Sequence, residues 1–296
     1  MFTCILEFGG LWARRTILGM LHLMGSVLGH FLYAFRCCRY YYSHTNINLC
    51  FPAFSAREIN RLTKLSLRET GKLLFEVMFF WMCPGTFYRH SIRKVIGEEH
   101  LLKARAEGCG VILVSPHLGN WEVFNAWAGK YDACVSYKPL ACRWLNRWIR
   151  RCRQCNGSKL FPINSEGLKV LCAELDKGGV VVLFPDQVPT STGRIMAPFF
   201  KVPAWSGTFV SRLANKRNVR VICGSACRLP GAQGFEIYLQ PAPEEIYLRD
   251  PGQSVAALNR GMEDCIRRRP EQYTWEYKRF KNGVYKQLYY KTTILS

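Results

Sequence analysis

Two side chains in this chain of 296 residues combine the types and the spacing that acid–base chemistry requires, His117 and Glu122. His117 follows four strand-forming residues at 111–114 and a Ser-Pro break, and Glu122 falls in the first turn of a helix that a Gly-Asn pair can begin. Ligands of open α/β sheets bind beyond the carboxyl ends of the strands, where this histidine is predicted to lie. A neighbouring carboxylate fixes the tautomer of an imidazole and makes it a general base. The same spacing also fits a structural histidine, with Glu122 stabilising the helix N-terminus.

A second polar pair, Asp186 and Gln187, follows another run of strand-forming residues at 180–184. If this strand is parallel to the strand at 111–114, Asp186 reaches the same edge of the sheet as His117. Asp186 fits equally well as a residue that stabilises a turn. The two strand ends therefore predict one polar site at that edge and leave the role of each residue open.

The segment between these two polar pairs contains a strongly amphipathic helical pattern. Apolar residues recur at helical spacing from Ala141 to Cys152, and arginines occupy most of the other positions. The arginines are Arg143, Arg147, Arg150, Arg151 and Arg153. One interpretation is a helix that packs on the core and has a solvated charged face. The other is a helix that contacts phosphate groups, with its tryptophans at a water–lipid boundary.

The elements that must position these residues lie in two predicted parts of the chain. Twenty residues without a charged side chain, 16–35, are long enough as a helix to span about 30 Å, the hydrocarbon thickness of a bilayer. We predict a membrane anchor at 1–40, although a helix in the interface or in the core has the same composition. Strands that alternate with helices over 41–296 predict a single α/β domain with a mixed, largely parallel sheet flanked by helices.

The charge balance indicates an anionic partner. There are 41 lysines and arginines against 21 acidic residues, which gives a formal charge of +20. Such an excess suits nucleic acid, an anionic membrane surface or an acidic protein, and composition does not choose among them. The fourteen cysteines, in a chain without a cleavable signal peptide, are predicted to be reduced thiols that face the cytosol. Cys152 and Cys155 form a lone CxxC, which does not predict a metal site without a second pair.

Several known catalytic motifs are absent from the sequence, which contains no GxSxG, no Walker A motif and no GxGxxG. A histidine and a carboxylate without an evident serine or cysteine nucleophile suit direct deprotonation of a substrate hydroxyl, which then attacks an activated acyl group. Interleaved aromatic and basic residues at 273–281 would suit nucleic acid. A membrane-tethered nucleic-acid-binding protein is therefore the alternative from a different class, although no known binding module surrounds this segment.

Four blocks of sequence stand out by their order and spacing. They are SPHLGNWE at 115–122, LFPDQVP at 183–189, APFF at 197–200 and PEQYTWEYKRFK at 270–281. Together they resemble the bacterial lipid A late acyltransferases, the lauroyl and myristoyl transferases of the His-x4-Asp/Glu acyltransferase superfamily. The resemblance covers essentially the whole chain and implies a fold like that of the glycerolipid acyltransferases. It also implies transfer of a fatty acyl chain from acyl carrier protein to a hydroxyl of a lipid A precursor, at the cytoplasmic face of the bacterial inner membrane and without a cofactor.

The resemblance also implies roles for individual residues. His117 and Glu122 match the catalytic pair of the family. The residues that it predicts to bind substrate are Asn120, Arg153, Asp186 and Gln187. In the expected mechanism Glu122 orients His117, which takes the proton of the acceptor hydroxyl without a covalent enzyme intermediate. Backbone amides at 118–121, or a nearby arginine, would stabilise the oxyanion.

The substrates are the part of this expectation that the sequence leaves most open. Lys201 stands where relatives commonly have glycine, and this departure bears on acceptor or chain preference more than on the chemistry. An acyltransferase of the same superfamily that acts on another glycolipid or on a glycerophospholipid is the alternative. The expected partners are acyl carrier protein, a lipid A precursor and an anionic membrane, with no nucleic acid and no metal.

Overall fold

A seven-stranded sheet runs through the part of the chain that the structure describes. The computed structural model describes residues 11–82, 86–137, 139, 141–155, 157–189, 193–281 and 285–291. The strands are β1 (Ile92–Ile96), β2 (Gly110–Val114), β3 (Cys134–Tyr137), β4 (Lys159–Pro162), β5 (Val180–Leu183), β6 (Arg194–Phe199), β7 (Val202–Gly207), β8 (Val219–Arg228) and β9 (Phe235–Pro241). The large sheet has the order β1-β9-β8-β2-β5-β3-β4, and β6 pairs with β7 in a separate antiparallel sheet.

The sheet is parallel at its centre and mixed at one side. Within the described residues, every neighbouring pair of the large sheet is parallel except β8 with β9. The central strands β2 and β5 are buried along their whole length, as expected of parallel strands that are covered on both faces. The prediction of a mixed, largely parallel sheet is therefore confirmed.

Helices cover both faces of this sheet. They are α1 (Leu11–Ala34), α2 (Cys38–Cys50), α3 (Ala56–Met82), α4 (Thr86–Ser91), α5 (Glu98–Ala106), α6 (Trp121–Ala128), α7 (Arg143–Gln154), α8 (Ser165–Asp176), α9 (Phe209–Lys216), α10 (Pro251–Arg268) and α11 (Lys286–Lys291). Alternate residues of β2 enter two separate apolar clusters, since Ile112 and Val114 join one and Val111 and Leu113 join the other. The period of two in a strand thus places one core on each face of the sheet.

Helix α1 packs along α3 at a distance that only glycine permits. A Cβ added to Gly25 would lie 2.3 Å from the backbone nitrogen of Lys72, and one added to Gly29 would lie 2.3 Å from the Cα of Arg68. On α3, a Cβ added to Gly71 would lie 2.0 Å from the carbonyl oxygen of Gly25. Small residues at such contacts allow two helix backbones to approach closely.

Helix α1 is also the one helix among the described residues that is long and apolar enough to cross a membrane, over Trp12–Ala34. Only 17% of its most apolar stretch is buried, because α3 covers one side of it. The exposed large apolar side chains on α1 are Trp12, Met20, Leu23, Met24, Val27 and Phe31. The predicted apolar N-terminal helix is therefore present. The division of the chain at residue 40 stays a prediction, and residues 1–10 of the predicted anchor lie outside the described ones.

We predict that Gly29→Ala destabilises the protein, because the added methyl group overlaps the backbone of α3. Overpacking of this kind typically costs about 1–3 kcal/mol. The matched control is Gly19→Ala on the same helix, where the added Cβ would lie 3.9 Å from the Cβ of Ala232. In that open position alanine is favoured over glycine by up to about 1 kcal/mol. Thermal unfolding of both variants in detergent measures the difference, and equal midpoints would contradict the close packing of α1 on α3.

Candidate active site

The parallel pairing of β2 with β5 brings His117 and Asp186 together. Val114 pairs with Leu183 in the sheet register, and His117 and Asp186 each follow these paired residues by three positions. Asp186 accepts two hydrogen bonds from His117, one from the backbone nitrogen at 3.0 Å and one from ring Nδ1 at 2.7 Å. The two polar strand ends thus meet at one edge of the sheet, as parallel strands require.

Asp186 fixes the tautomer of His117. Because the carboxylate accepts a hydrogen bond from Nδ1, the ring proton of the neutral imidazole lies on Nδ1 and the lone pair on Nε2. Tyr273 donates its hydroxyl to Asp186 Oδ2 at 3.2 Å and adds a third hydrogen bond to the carboxylate. The His117 side chain is 23% exposed, whereas that of Asp186 is 2% exposed. The side-chain nitrogen of Gln187 lies 3.4 Å from Nε2, at the position that a substrate hydroxyl would occupy.

Burial and charge act in opposite directions on this pair. Burial lowers the pKa of His117, but the Asp186 carboxylate beside it outweighs burial and raises that pKa above its ordinary value. Burial likewise raises the pKa of Asp186, and the contacts with His117 outweigh it, so that this pKa lies below its ordinary value. An ionised carboxylate next to an imidazole of increased basicity is an arrangement suited to accepting a proton.

Glu122 is paired with Arg153 of α7 instead of with His117. Arg153 donates from Nε to Glu122 Oε2 at 3.0 Å, and one of its terminal nitrogens forms a second, short hydrogen bond to Oε1. Among the described residues Glu122 has no hydrogen bond to His117. The expected contact, in which Glu122 orients the imidazole, is therefore not the one observed, and Asp186 makes that contact instead. The reason is helical geometry. Trp121 faces the imidazole, with ring centroids 5.2 Å apart, and the next residue of an α-helix points about 100° away.

Asn120 and the backbone amides beside it are occupied by contacts within the protein. Asn120 is fully buried, and its side-chain oxygen caps α6 by accepting from the backbone nitrogens of Glu122 and Val123 at 3.1 and 3.2 Å. The backbone nitrogens of residues 118–120 each donate to a carbonyl oxygen of the protein, that of Leu118 to Pro116 in the same loop and the other two to distant segments. A substrate contact from Asn120, or an oxyanion contact from amides 118–120, would have to displace these hydrogen bonds.

A buried ion pair between Glu76 and Arg228 supports the loop that carries His117. Arg228 Nε lies 2.8 Å from Glu76 Oε1, and a terminal nitrogen of Arg228 donates to the carbonyl oxygen of Gly119 at 3.3 Å. Glu76 also accepts from Asn120 Nδ2 at 2.9 Å and lies 2.6 Å from His22 Nε2 on α1. Burial raises the pKa of Glu76, but Arg228 and the neighbouring donors lower it to about 2. The carboxylate is therefore charged at neutral pH.

The sequence contained one sign of this ion pair that our predictions did not use. Glu76 falls between Leu73 and Phe80 on the buried stripe of α3, where apolar residues recur at helical spacing. A glutamate at such a position is almost never buried without a partner. The stripe therefore indicated a buried partner cation, although it did not indicate that the cation would be Arg228, 152 positions away.

The C-terminal aromatic segment at 270–281 closes over the same loop. Thr274 donates its backbone nitrogen and its hydroxyl to the carbonyl oxygen of His117, at 3.1 and 2.8 Å. Tyr273, Trp275 and Phe280 are buried in the core. Base stacking requires exposed rings, so these three residues do not support the nucleic-acid-binding alternative.

A cavity of about 270 Å³ opens beside the imidazole. Its lining residues are Trp81, His117, Trp121, Asn125, Ser136, Tyr137, Asn146, Ile149, Arg150, Arg153 and Phe184. Two of the predicted arginines are in this wall, and no acidic residue is among these described lining residues. The cavity therefore favours a polar or anionic substrate group.

Helix α7 is only partly packed on the core. Ile149 and Cys152 are buried, whereas Trp144 and Trp148 are 65% and 42% exposed. Trp148 donates its ring nitrogen to the carbonyl oxygen of Trp81 at 3.1 Å, and the thiol of Cys152 donates to the same oxygen at 2.9 Å. The core-packing interpretation thus accounts for the C-terminal half of this helix but not for its exposed tryptophans.

The described residues contain no group of three or more metal-ligating side chains that could hold a metal ion.

Comparison with known proteins finds relatives over most of the chain. The family model described as bacterial lipid A biosynthesis acyltransferase matches residues 10–282. The lipid A biosynthesis palmitoleoyltransferase of Escherichia coli (strain K12) is 29% identical over 267 residues, which cover 88% of this chain and 85% of the relative. The lipid A biosynthesis lauroyltransferase of that strain is 28% identical over 269 residues, with shares of 88% and 85%. The phosphatidylinositol mannoside acyltransferase of Mycobacterium tuberculosis (strain CDC 1551 / Oshkosh) is 28% identical over 159 residues, 51% of this chain and 49% of the relative.

We predict that Glu76→Gln strongly destabilises the protein, because Arg228 then keeps a buried charge without its main counter-charge. Removing one partner of a buried ion pair typically costs about 3–5 kcal/mol. Denaturant unfolding in detergent measures the loss. Glu166→Gln, which changes an exposed glutamate of α8, is the matched control and should change stability by no more than about 0.5 kcal/mol. If both variants were equally stable, the ion pair could not be what holds the loop.

Proposed function

The chain belongs to the bacterial lipid A biosynthesis acyltransferase family, and from this membership we propose that it transfers a fatty acyl chain from acyl carrier protein to a hydroxyl of a lipid A precursor. Membership supports acyl transfer in lipid A biosynthesis, and the donor and the hydroxyl are parts of the proposal. The observation that carries the proposed chemistry is the His117–Asp186 pair beside the cavity. This pair supports general-base catalysis because Nε2 remains to accept a proton.

In the proposed reaction the acceptor hydroxyl binds to Nε2 of His117 in place of the Gln187 amide. As the hydroxyl oxygen attacks the thioester carbonyl carbon, its proton passes to Nε2 and the carbonyl oxygen becomes an oxyanion. Collapse of this intermediate breaks the carbon–sulfur bond, and the imidazolium returns the proton to the leaving thiolate. The products are the acylated lipid and the free thiol of the carrier, and no covalent acyl-enzyme forms.

Glu122 keeps a role in this proposal, through Arg153. The carboxylate of Glu122 holds the guanidinium of Arg153 in the wall of the cavity. A fixed positive charge beside the reacting carbonyl stabilises the oxyanion more strongly than water does, because it needs no reorganisation during the reaction. Arg150, whose guanidinium lies over the ring of Tyr137, adds positive charge for a phosphate of the acceptor.

The surfaces near the cavity support an acidic donor protein and an anionic membrane as partners. Helix α7 carries five arginines beside the exposed Trp144 and Trp148, and acyl carrier proteins are acidic. The exposed apolar face of α1 supports membrane association. We therefore propose that the catalytic part of the chain lies on the cytoplasmic side of the bacterial inner membrane, where the carrier protein is found.

A second candidate acceptor is a glycolipid other than a lipid A precursor. The observation that favours it is the similarity, at 28% identity over 159 residues, to a phosphatidylinositol mannoside acyltransferase. The proposed chemistry at His117 would be the same, since only the molecule that carries the hydroxyl differs. Mass spectrometry of lipids from cells with and without the gene separates the two acceptors, because the added acyl mass appears on one lipid class only.

The direct test is to incubate the purified protein in detergent with acyl carrier protein thioesters of several chain lengths and a lipid A precursor. We expect the mass of one acyl chain to be added to the precursor. His117→Ala should lower turnover by about 10²–10⁴-fold, the usual contribution of a general base, and leave the affinity for the acceptor nearly unchanged.

The matched control for this test is His90→Ala, which changes an exposed histidine of α4 and should keep the turnover of the unchanged protein. Near-normal turnover of His117→Ala would remove the proposed base. Failure of the unchanged protein to acylate the precursor with any of the thioesters would contradict the proposed donor and acceptor.

A further inference from the structure

A second cleft, separate from the cavity at His117, lies between α1 and α3 and has a volume of about 550 Å³. Three cationic side chains line it, Arg15 from α1 and Arg68 and Lys72 from α3. None of its lining residues within the described part of the chain is acidic. The proposed acyl-transfer chemistry gives no role to this concentration of positive charge.

The cations of the cleft differ in how far they are neutralised. Lys72 is paired with Glu69 at 2.5 Å, so its charge is partly compensated. Arg15 donates Nε to the carbonyl oxygen of Gly231 at 3.2 Å. Neither Arg15 nor Arg68 forms an ion pair with a residue that the structure describes. The cleft therefore has two arginine charges that an anionic ligand can neutralise.

The floor of the cleft rests on a buried ion pair. His22 lines the cleft and is held by Glu76, which is fully buried and bound to Arg228. A smaller cavity of about 190 Å³ adjoins this floor and shares His22, Lys72 and Gly231 with the cleft. The close glycine contacts between α1 and α3 fix the separation of the two walls. The cleft is thus a formed feature of the fold, in which Arg15 of α1 faces the same space as Arg68 and Lys72 of α3.

The rim of the cleft is apolar. Trp12 and Leu23 line it and are exposed, and they continue into the exposed apolar face of α1. A soluble phosphate compound has no apolar part that could contact this rim. A phospholipid matches it, because its phosphate can enter the cationic cleft while its acyl chains lie along α1. Basic pockets between membrane helices bind anionic lipid headgroups in this way, and tryptophan is enriched at the same depth of the bilayer.

We propose that the cleft between α1 and α3 binds the phosphate group of an anionic glycerophospholipid of the surrounding bilayer. This inference rests on the membrane association proposed above and not on the acyl-transfer chemistry. Because Glu76 under the cleft also holds Asn120 of the catalytic loop, a lipid bound there stabilises the same loop from below.

Native mass spectrometry of the full chain in detergent micelles tests the proposal. The probes are phosphatidylglycerol, phosphatidylcholine, the lipid A precursor and inorganic phosphate, each added alone. We expect retention of phosphatidylglycerol and little retention of phosphatidylcholine. Arg15→Gln with Arg68→Gln should weaken phosphatidylglycerol binding about 25-fold, since each cation near an anionic lipid contributes roughly a factor of five.

Two control variants test whether a loss of phosphatidylglycerol binding comes from the charge in the cleft, and not from the lower net charge or from a change in the fold. Lys169→Gln with Lys177→Gln removes the same charge from exposed positions on and after α8 and should leave binding unchanged. Arg68→Lys keeps the charge in the cleft and should retain most of the binding.

Equal retention of the two phospholipids, or equal loss in the Lys169/Lys177 variant, would overturn the proposal. Retention of the lipid A precursor in place of phosphatidylglycerol would also overturn it, and so would binding of inorganic phosphate at the affinity of the lipid. Because acyl transfer is not measured, a protein that acylates its acceptor but retains no phosphatidylglycerol would contradict this inference alone.

Discussion

The hydrogen bond from His117 Nδ1 to Asp186, at 2.7 Å, is the interaction on which the proposed chemistry depends. It exists because β2 and β5 are parallel and in register, so that residues three positions beyond Val114 and Leu183 lie side by side. A shift of one residue in this register would separate the imidazole from its carboxylate. The main contribution of the seven-stranded sheet to the site is therefore to fix the distance between His117 Nδ1 and the Asp186 carboxylate.

Keeping that distance requires the loop after β2 to be held from several sides, since a short loop on its own has many conformations. Thr274 of the C-terminal segment donates to the carbonyl oxygen of His117. Glu76 accepts from Asn120, and Arg228 donates to the carbonyl oxygen of Gly119. These contacts come from helix α3, the end of β8 and the C-terminal segment, which are far apart in sequence. Burying a charge has a large desolvation cost, which is offset only if the charge is paired. Glu76 and Arg228 meet this condition because they pair with each other.

The sequence predicted those features that depend on local pattern, and it failed where orientation or distant pairing decides. Strand-forming runs before His117 and Asp186 predicted that both residues lie at one edge of the sheet if the two strands are parallel, and the structure shows that they are. The partner of His117 was assigned by nearness in sequence to Glu122, although Trp121 faces the imidazole and so turns Glu122 toward Arg153. The apolar helix at the N-terminus followed from composition, but its close packing on α3 depends on glycines of two separate segments. Likewise the interleaved aromatic and basic residues at 273–281 were compatible with a nucleic-acid-binding surface, because sequence alone does not tell a buried ring from an exposed one.

We propose that Asp186, and not Glu122, sets the basicity of His117 as the general base, and the pH dependence of kcat/KM tests this proposal most directly. A base acts in its deprotonated form, so kcat/KM should fall as the pH drops through the pKa of His117, which the Asp186 carboxylate raises against the effect of burial. In Asp186→Asn only the lowering effect of burial remains, so the acidic limb should move to lower pH and the maximum should fall. In Glu122→Gln the maximum should fall while the acidic limb stays where it is. A limb that moves in Glu122→Gln and stays fixed in Asp186→Asn would contradict the assignment.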